Sequence, residues 1–398
     1  MKKLIGALAL AAMVATSAFA EVSFGAWLCN LPTLIGYDGE DIKGAAASNP
    51  WGGWRPARLG ANWTSDDGKA GMVLGICVDA NGGAAGIGIF DANNFWLKPV
   101  DAVKVTIGQM DNNFGVRGDL CYGSWDWLRP NTWKFDDEGL TFSDHSELGL
   151  GLEITPMEAL KIFAALPLAG EGFNGTTDLK RMDEAYGKGS IGAAYTIDGI
   201  GRIKAQFVGE YNAAGDASKY GKIEGAFDLT GIDKLFVTLG VAFRVASSDY
   251  WKANNATSPK DSEEMFKVAL GASYGITEAF KLSASFAMAM FNSDYKTAAG
   301  KSVDPAMQFG VGANYALSDT LGLVADVRMF LPNNDIDSSL SFMVGLNSAL
   351  GSNASMGVGF QGIVGLGDKA TAGDLKVVTA TEANKFAFAV PVRASIWF

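Results

Sequence analysis

The amino-acid sequence predicts an all-β fold: a transmembrane, antiparallel up-and-down β-barrel of eighteen strands, with sixteen as the alternative count. Three observations predict it. Apolar and polar residues alternate with a period of two over stretches of roughly ten to fourteen residues, longer than the ~5–6 residues of a typical soluble strand. After residue 20 no apolar run reaches the roughly eighteen residues of a transmembrane helix, although 48% of the chain is hydrophobic. Short turns also alternate with longer polar connections along the chain, the asymmetry of a barrel whose hairpins are tight on one side of a bilayer and long on the other.

The chain opens with MKKLIGALALAAMVATSAFA. Lys2 and Lys3 form a basic start, Leu4 to Val14 an apolar stretch, and Ala18-Phe19-Ala20 a cleavage motif, so residues 1–20 are expected to be a cleaved export signal. Residues 21–398 are then a single barrel domain. Without Lys2 and Lys3 the chain carries 30 basic and 43 acidic residues, a net −13, which argues against a nucleic-acid partner. The 50 glycines have no three-residue period and suit bends and close packing in a curved sheet. The three cysteines, Cys29, Cys77 and Cys121, match no zinc or haem spacing. An exported chain could oxidise a pair of them, and the sequence leaves open whether it does. With His145 as the only histidine, neither a metal site nor a Ser/His/Asp catalytic group is expected, and no cofactor is implied.

Eight tight turns rich in turn-forming residues punctuate the chain: 65–68, 98–101, 155–157, 198–199, 231–233, 277–278, 318–320 and 351–353. Longer connections lie between them at 30–55, 111–138, 169–187, 212–219, 247–262, 292–305, 332–338 and 367–384, and parity adds a break near Asn81-Gly82-Gly83. Eight turns and nine connections join eighteen strands, with both ends on the short-turn side.

Each strand divides into two faces. Leu321, Leu323, Ala325, Val327 and Met329 oppose Asp326 and Arg328. Leu235 to Val245 gives an apolar row opposite Lys234, Thr238, Gly240 and Arg244, and Ile203, Ala205 and Phe207 oppose Arg202, Lys204, Gln206 and Glu210. A charge facing lipid at mid-membrane costs roughly 2–4 kcal/mol, so the charged rows should face a wet lumen. Barrels of sixteen to eighteen strands leave an aqueous channel, whereas eight-stranded ones are filled by side chains. The basic inward set is Arg58, Lys104, Lys161, Arg202, Lys204, Lys222, Arg244, Lys267, Lys281, Arg328 and Arg393; the acidic set is Glu147, Glu153, Glu210, Glu224, Asp228 and Asp326. The wall reads as net positive, which favours anions unless ion pairs cancel it. Trp27, Trp63, Trp96, Tyr211, Tyr250, Tyr274, Tyr315 and Trp397, near strand ends, are expected in interfacial girdles.

The final stretch, KFAFAVPVRASIWF, puts Phe386, Phe388, Val390, Val392, Ala394, Ile396 and Phe398 on one face, and ends in an aromatic carboxylate. It resembles the closing strand of bacterial outer-membrane β-barrels. That resemblance implies outer-membrane lipids as surroundings and Phe398 as the signal read by the barrel-assembly machinery. Residues 95–108, with Trp96, Lys98, Pro99, Asp101, Lys104 and Gly108, resemble the W-x-K-P-x-D-x-x-K-x-x-x-G hairpin of porin-like outer-membrane proteins of spirochaetes, treponemes in particular.

The porin resemblance implies a non-enzymatic channel for passive diffusion of small hydrophilic solutes, assembled as a homotrimer. In general porins one long loop folds inward and narrows the pore. The candidate is 111–138, with Trp125, Asp126, Trp127, Arg129, Asp136, Asp137 and Glu138; the alternative is 30–55, with Asp38, Glu40 and Asp41. Two other readings remain open: a plugged barrel carrying apolar compounds, and a surface adhesin or structural barrel that binds through its external loops.

Overall fold

The computed structural model describes residues 22–43, 46–48, 57–79, 86–110, 114–116, 148–168, 186–210, 219–253, 264–297, 300–331, 338–367 and 386–398. Eighteen long strands pair antiparallel in chain order. They are β1 (Val22–Tyr37), β2 (Ala57–Thr64), β3 (Ala70–Asp79), β4 (Gly86–Val100), β5 (Val103–Gln109), β6 (Leu148–Met157), β7 (Leu160–Pro167), β8 (Ser190–Ile197) and β9 (Gly201–Gly209). There follow β10 (Lys219–Ile232), β11 (Leu235–Ala246), β12 (Phe266–Gly275), β13 (Phe280–Met290), β14 (Ala306–Ala316), β15 (Leu321–Leu331), β16 (Ser339–Ala349), β17 (Ala354–Gly365) and β18 (Phe386–Trp397). Closure comes from β1 against β18, with Trp27 opposite Trp397 and Tyr37 opposite Phe388. The amide of Ala26 donates to the Phe398 carbonyl at 2.9 Å, and the Phe398 amide donates to the Ala26 carbonyl at 3.0 Å. The sheet therefore has no free edge between its first and last strands, which removes the liability of an unpaired strand.

The expected count of eighteen is the observed one. The break near Asn81 is a true connection, since Asp79 pairs with Gly86 across it. Two boundaries differ from expectation. Thr155, Pro156 and Met157 belong to β6, and the chain turns at Glu158–Ala159, because Met157 pairs directly with Leu160. β1 runs on to Tyr37 instead of ending near residue 29. Most of the described residues of the alternative inward loop, 30–55, are thus strand. Its short segments Ile42–Lys43 and Ala46–Ser48 pair back on β1, and Asp38 Oδ1 accepts from the amides of Glu40 at 3.0 Å and Asp41 at 2.8 Å. Those bonds tie up a buried carboxylate locally.

Polarity is inverted relative to a soluble barrel. Phe24, Leu59, Leu74, Ile107, Ile203, Ile223, Val241, Phe309, Val311, Val327 and Val344 are exposed on the outside. Lys204, Gln206, Glu224, Asp228, Thr238, Arg244, Asp326, Arg328 and Gln361 are buried on the inside. Such a continuous apolar exterior is stable only in apolar surroundings.

Two connections on the long-loop side pack together. Helix α1 (Ser248–Ala253) presents Tyr250 and Trp251 to Tyr295 and Val303. Trp251 and Tyr295 meet edge-on at 6.4 Å, and Ser248 Oγ donates to Asp294 at 2.7 Å. Tyr250 is therefore buried in a cap and is not part of an interfacial girdle.

Candidate functional site

The inner wall is built from every second residue of each strand, and the register brings charges on neighbouring strands level with one another. On β9 to β11, Lys204 Nζ lies 2.8 Å from Asp228 Oδ2, and Thr238 Oγ1 donates to Asp228 Oδ1 at 2.8 Å. Toward the long-loop end, Gln206 Nε2 donates to Glu224 at 2.6 Å. Higher still, Glu210 gathers three cations: Arg244 at 3.2 Å, Lys219 at 3.6 Å and Lys222 at 3.7 Å. These carboxylates hold long basic side chains along the wall, where they would otherwise sweep the lumen.

The same logic recurs elsewhere. Glu153 on β6 pairs with Lys161 and, at 3.6 Å, with Lys104. Lys267 meets Glu264 at 3.3 Å. On β15, Arg328 Nε donates to Asp326 Oδ1 at 2.9 Å. Arg393 Nη2 donates to Ser355 Oγ at 3.2 Å on the seam side, and the Arg58 guanidinium lies 5.2 Å from the Trp27 ring centroid. Arg202, half-buried, lines a pocket of about 510 Å³ at the short-turn rim with Lys204, Asp228 and Phe236. Lys281 is exposed at the same rim. Of the seventeen charged residues expected on the inner face, sixteen are described and lie toward it, and Glu147 lies outside the described residues. The wall's net positive reading is reduced by ion pairing, because Lys104, Lys161, Lys204, Lys222, Arg244, Lys267 and Arg328 each face a carboxylate.

Sequence reasoning missed three inward aromatics. Trp27 pairs with Arg58 and Trp397, and Cys29 and Ser395, two residues on, are buried inside, so both tryptophans face the interior. Trp96 pairs with Gly71 and with the buried Thr106, and its indole lies where a Cβ at position 71 would be. Parity carried the signal: Trp96 shares its face with Lys98. By contrast Tyr274 and Tyr315 are exposed on the outer face, and Phe280 meets Tyr315 edge-on at 6.2 Å, as an interfacial belt requires.

An apolar shelf lies inside as well. Met110 and Phe114 cover Gly151, where a Cβ would come within 2.7 Å of both side chains. Phe114 meets Phe163 of β7 edge-on at 5.9 Å, and Gly115, at φ +80°, presses its backbone against the same ring. The chain leaving β5 therefore returns along the inner wall at residues 114–116, where Val116 is buried. Trp125, Asp126, Trp127, Arg129, Asp136, Asp137 and Glu138 lie outside the described residues. So does Cys121, and so does the side chain of Cys77. Cys29 is buried, and Ser395 Oγ donates to its sulfur at 3.0 Å. Among the described residues no group of three or more His, Cys, Asp or Glu could hold a metal ion.

No family model matches the chain, and no curated protein sequence does. Solved structures do. An anion-selective porin from Comamonas acidovorans superposes with a TM-score of 0.54 at 16% identity, covering 95% of this chain and 99% of that one. A mutant of the Rh. blastica porin gives a TM-score of 0.48 at 14% identity, covering 95% of this chain and 100% of the other. At 16% identity the likeness to the Comamonas acidovorans protein shows a shared fold, here a closed, eighteen-stranded, all-antiparallel barrel.

Proposed function

We propose that this chain is an outer-membrane porin, exported through its first twenty residues, that forms a water-filled channel for passive diffusion of small hydrophilic solutes with a weak preference for anions. The observation that carries this reading is the pairing of a continuous apolar exterior with an ion-paired polar interior across eighteen closed strands. A charged interior is stable only when solvated or paired, and a barrel of this size encloses more wall than its side chains can fill. The anion preference rests on the excess of inward cations over inward carboxylates and on the likeness to a barrel described as an anion-selective porin. The spirochaetal affinity of the 95–108 hairpin, insertion directed by Phe398 and trimeric assembly belong to the same reading. In this reading the inward charged residues line the pathway, and Trp125 to Glu138 supply its constriction.

Single-channel conductance of the refolded mature protein in a planar bilayer under a salt gradient tests it. Ohmic steps with a reversal potential toward the anion side are expected. A cation-side potential would overturn the anion preference. A correctly folded barrel with no conductance would overturn the porin reading in favour of a plugged barrel. One observation favours that second reading: Arg328, Gln361, Ala387 and Ala389 on the inner face of β15 to β18 are at most 1% exposed, so this part of the wall does not border open water.

A further inference from the structure

The hairpin of β4 and β5 converges on a site that wall solvation alone does not require. Trp96 lies flat against the backbone of Gly71, because no Cβ stands there to lift it. Above its ring are two ammonium groups, Lys98 Nζ at 5.5 Å and Lys104 Nζ at 5.4 Å from the centroid. Lys104 also reaches Glu153 at 3.6 Å, and Lys161 meets the same carboxylate from the neighbouring strand. Two lysines thus hold one carboxylate, and the third, Lys98, shares the Trp96 ring with Lys104. All sit within a few residues of the short turns, and the side chains of Lys104 and Lys161 remain 36% and 32% exposed.

From this geometry we infer that Trp96, Lys98, Lys104 and Lys161 form an anion-binding station at the short-turn mouth, suited to a multivalent oxyanion of the phosphate class. The inference rests on the channel reading above. Glu153 neutralises one of the three positive charges and fixes Lys104 and Lys161 in place, leaving an excess of two. The indole fixes Lys98 and Lys104 by cation–π attraction without neutralising either. A divalent anion matches that excess, and the ammonium groups, mobile point donors, suit a tetrahedral oxyanion. Chloride would cross the same place with one charge and no directed hydrogen bonds.

The test uses inorganic phosphate as probe against the refolded channel in a bilayer carrying chloride current. Phosphate added to each side in turn at constant ionic strength should reduce the current saturably, with the lower half-blocking concentration from one side. Lys98→Gln with Lys104→Gln should raise that concentration at least about tenfold, the loss expected for roughly 1.4 kcal/mol of binding. Lys98→Arg with Lys104→Arg should retain the block. Glu153→Gln, which leaves all three cations, should lower the half-blocking concentration. If phosphate acts only as a bulk ion, with a linear dose response that neither Glu153→Gln nor the double glutamine variant moves, the station does not exist. If no variant and no wild-type channel conducts, it is the channel reading that fails, and tryptophan fluorescence of the folded barrel under phosphate titration then decides the station: saturable change lost in the double glutamine variant supports it, and no change removes it.

Discussion

Asp326 and Arg328 stand two residues apart on the inner face of β15 and close a two-pronged ion pair, Nε to Oδ1 at 2.9 Å and Nη2 to Oδ2 at 3.3 Å, with both side chains 1% exposed. Gly310 on the adjacent strand leaves room for the arginine, since a Cβ there would come within 3.3 Å of Arg328 Cγ and Nε and 2.6 Å of Ser285 Oγ. Removing one partner strands a buried charge. Asp326→Asn or Arg328→Gln should each cost about 3–5 kcal/mol, while the combined Asp326→Leu, Arg328→Met variant should cost far less. Urea unfolding of the barrel in lipid vesicles checks this. Equal and additive losses would show that the pair is solvated after all.

On the proposed channel reading, changing Glu210 should affect selectivity more than stability. Glu210 holds Arg244, Lys219 and Lys222 near the long-loop end of the wall, where it is partly exposed. Glu210→Gln should leave three cations facing the lumen without their counter-charge. The reversal potential in a salt gradient should then move further toward the anion side, most strongly at low ionic strength, where screening is weakest. A shift toward cations would contradict the assignment of these residues to the pathway.

Much of this barrel is legible in the sequence because period-two alternation and turn chemistry are local signals. Asp198-Gly199 and Ser65-Asp66-Asp67-Gly68 turn the chain where they stand: Gly199 and Gly68 sit at φ +67° and +66°, which glycine adopts at little cost. The inward charges follow by parity once one face is known to be apolar. What escaped the sequence is whatever depends on three dimensions. Nearness to strand ends predicts Trp27, Trp96 and Trp397 in the girdle, but their parity with Cys29, Lys98 and Ser395 puts them inside. Tyr250 is taken into a cap by Trp251 and Tyr295, a contact between connections some forty residues apart. The return of residues 114–116 along the wall depends on Gly151 and Gly115 leaving space, which no local pattern announces.

The turn between β2 and β3 has its own pH response. The Ser65 hydroxyl donates to Asp67 Oδ1 at 2.7 Å, the amide of Lys69 donates to the same oxygen at 3.1 Å, and these bonds hold the Asp67 carboxyl below the usual carboxylate range. A depressed folded-state value means the stabilisation is present above the ordinary carboxylate pKa and is lost as pH falls through the folded one. The turn should therefore loosen only at acidic pH, and Asp67→Asn should abolish that dependence. Amide exchange at Lys69 and Ala70 across pH 2 to 6, roughly the carboxylate range, is the readout; exchange with the same acid dependence in the variant would assign the response elsewhere.

The inner shelf makes the sharpest structural prediction. Phe163 is 1% exposed, packs edge-on against Phe114, and fills the space over Gly192, where a Cβ would lie 2.5 Å from its ring. Phe163→Ala should destabilise the barrel by about 3–5 kcal/mol through lost transfer energy and a cavity. It should also unseat residues 114–116 from the wall. If that segment narrows the pathway, conductance should change together with stability, whereas Phe309→Ala, on the outer face, should alter stability without altering conductance. Gly151→Val separates the two effects from the other direction, because its branched side chain would push Met110 and Phe114 off the wall while Phe163 stays intact. Unchanged single-channel current in both Phe163→Ala and Gly151→Val would show that the segment after β5 packs on the wall without shaping the path.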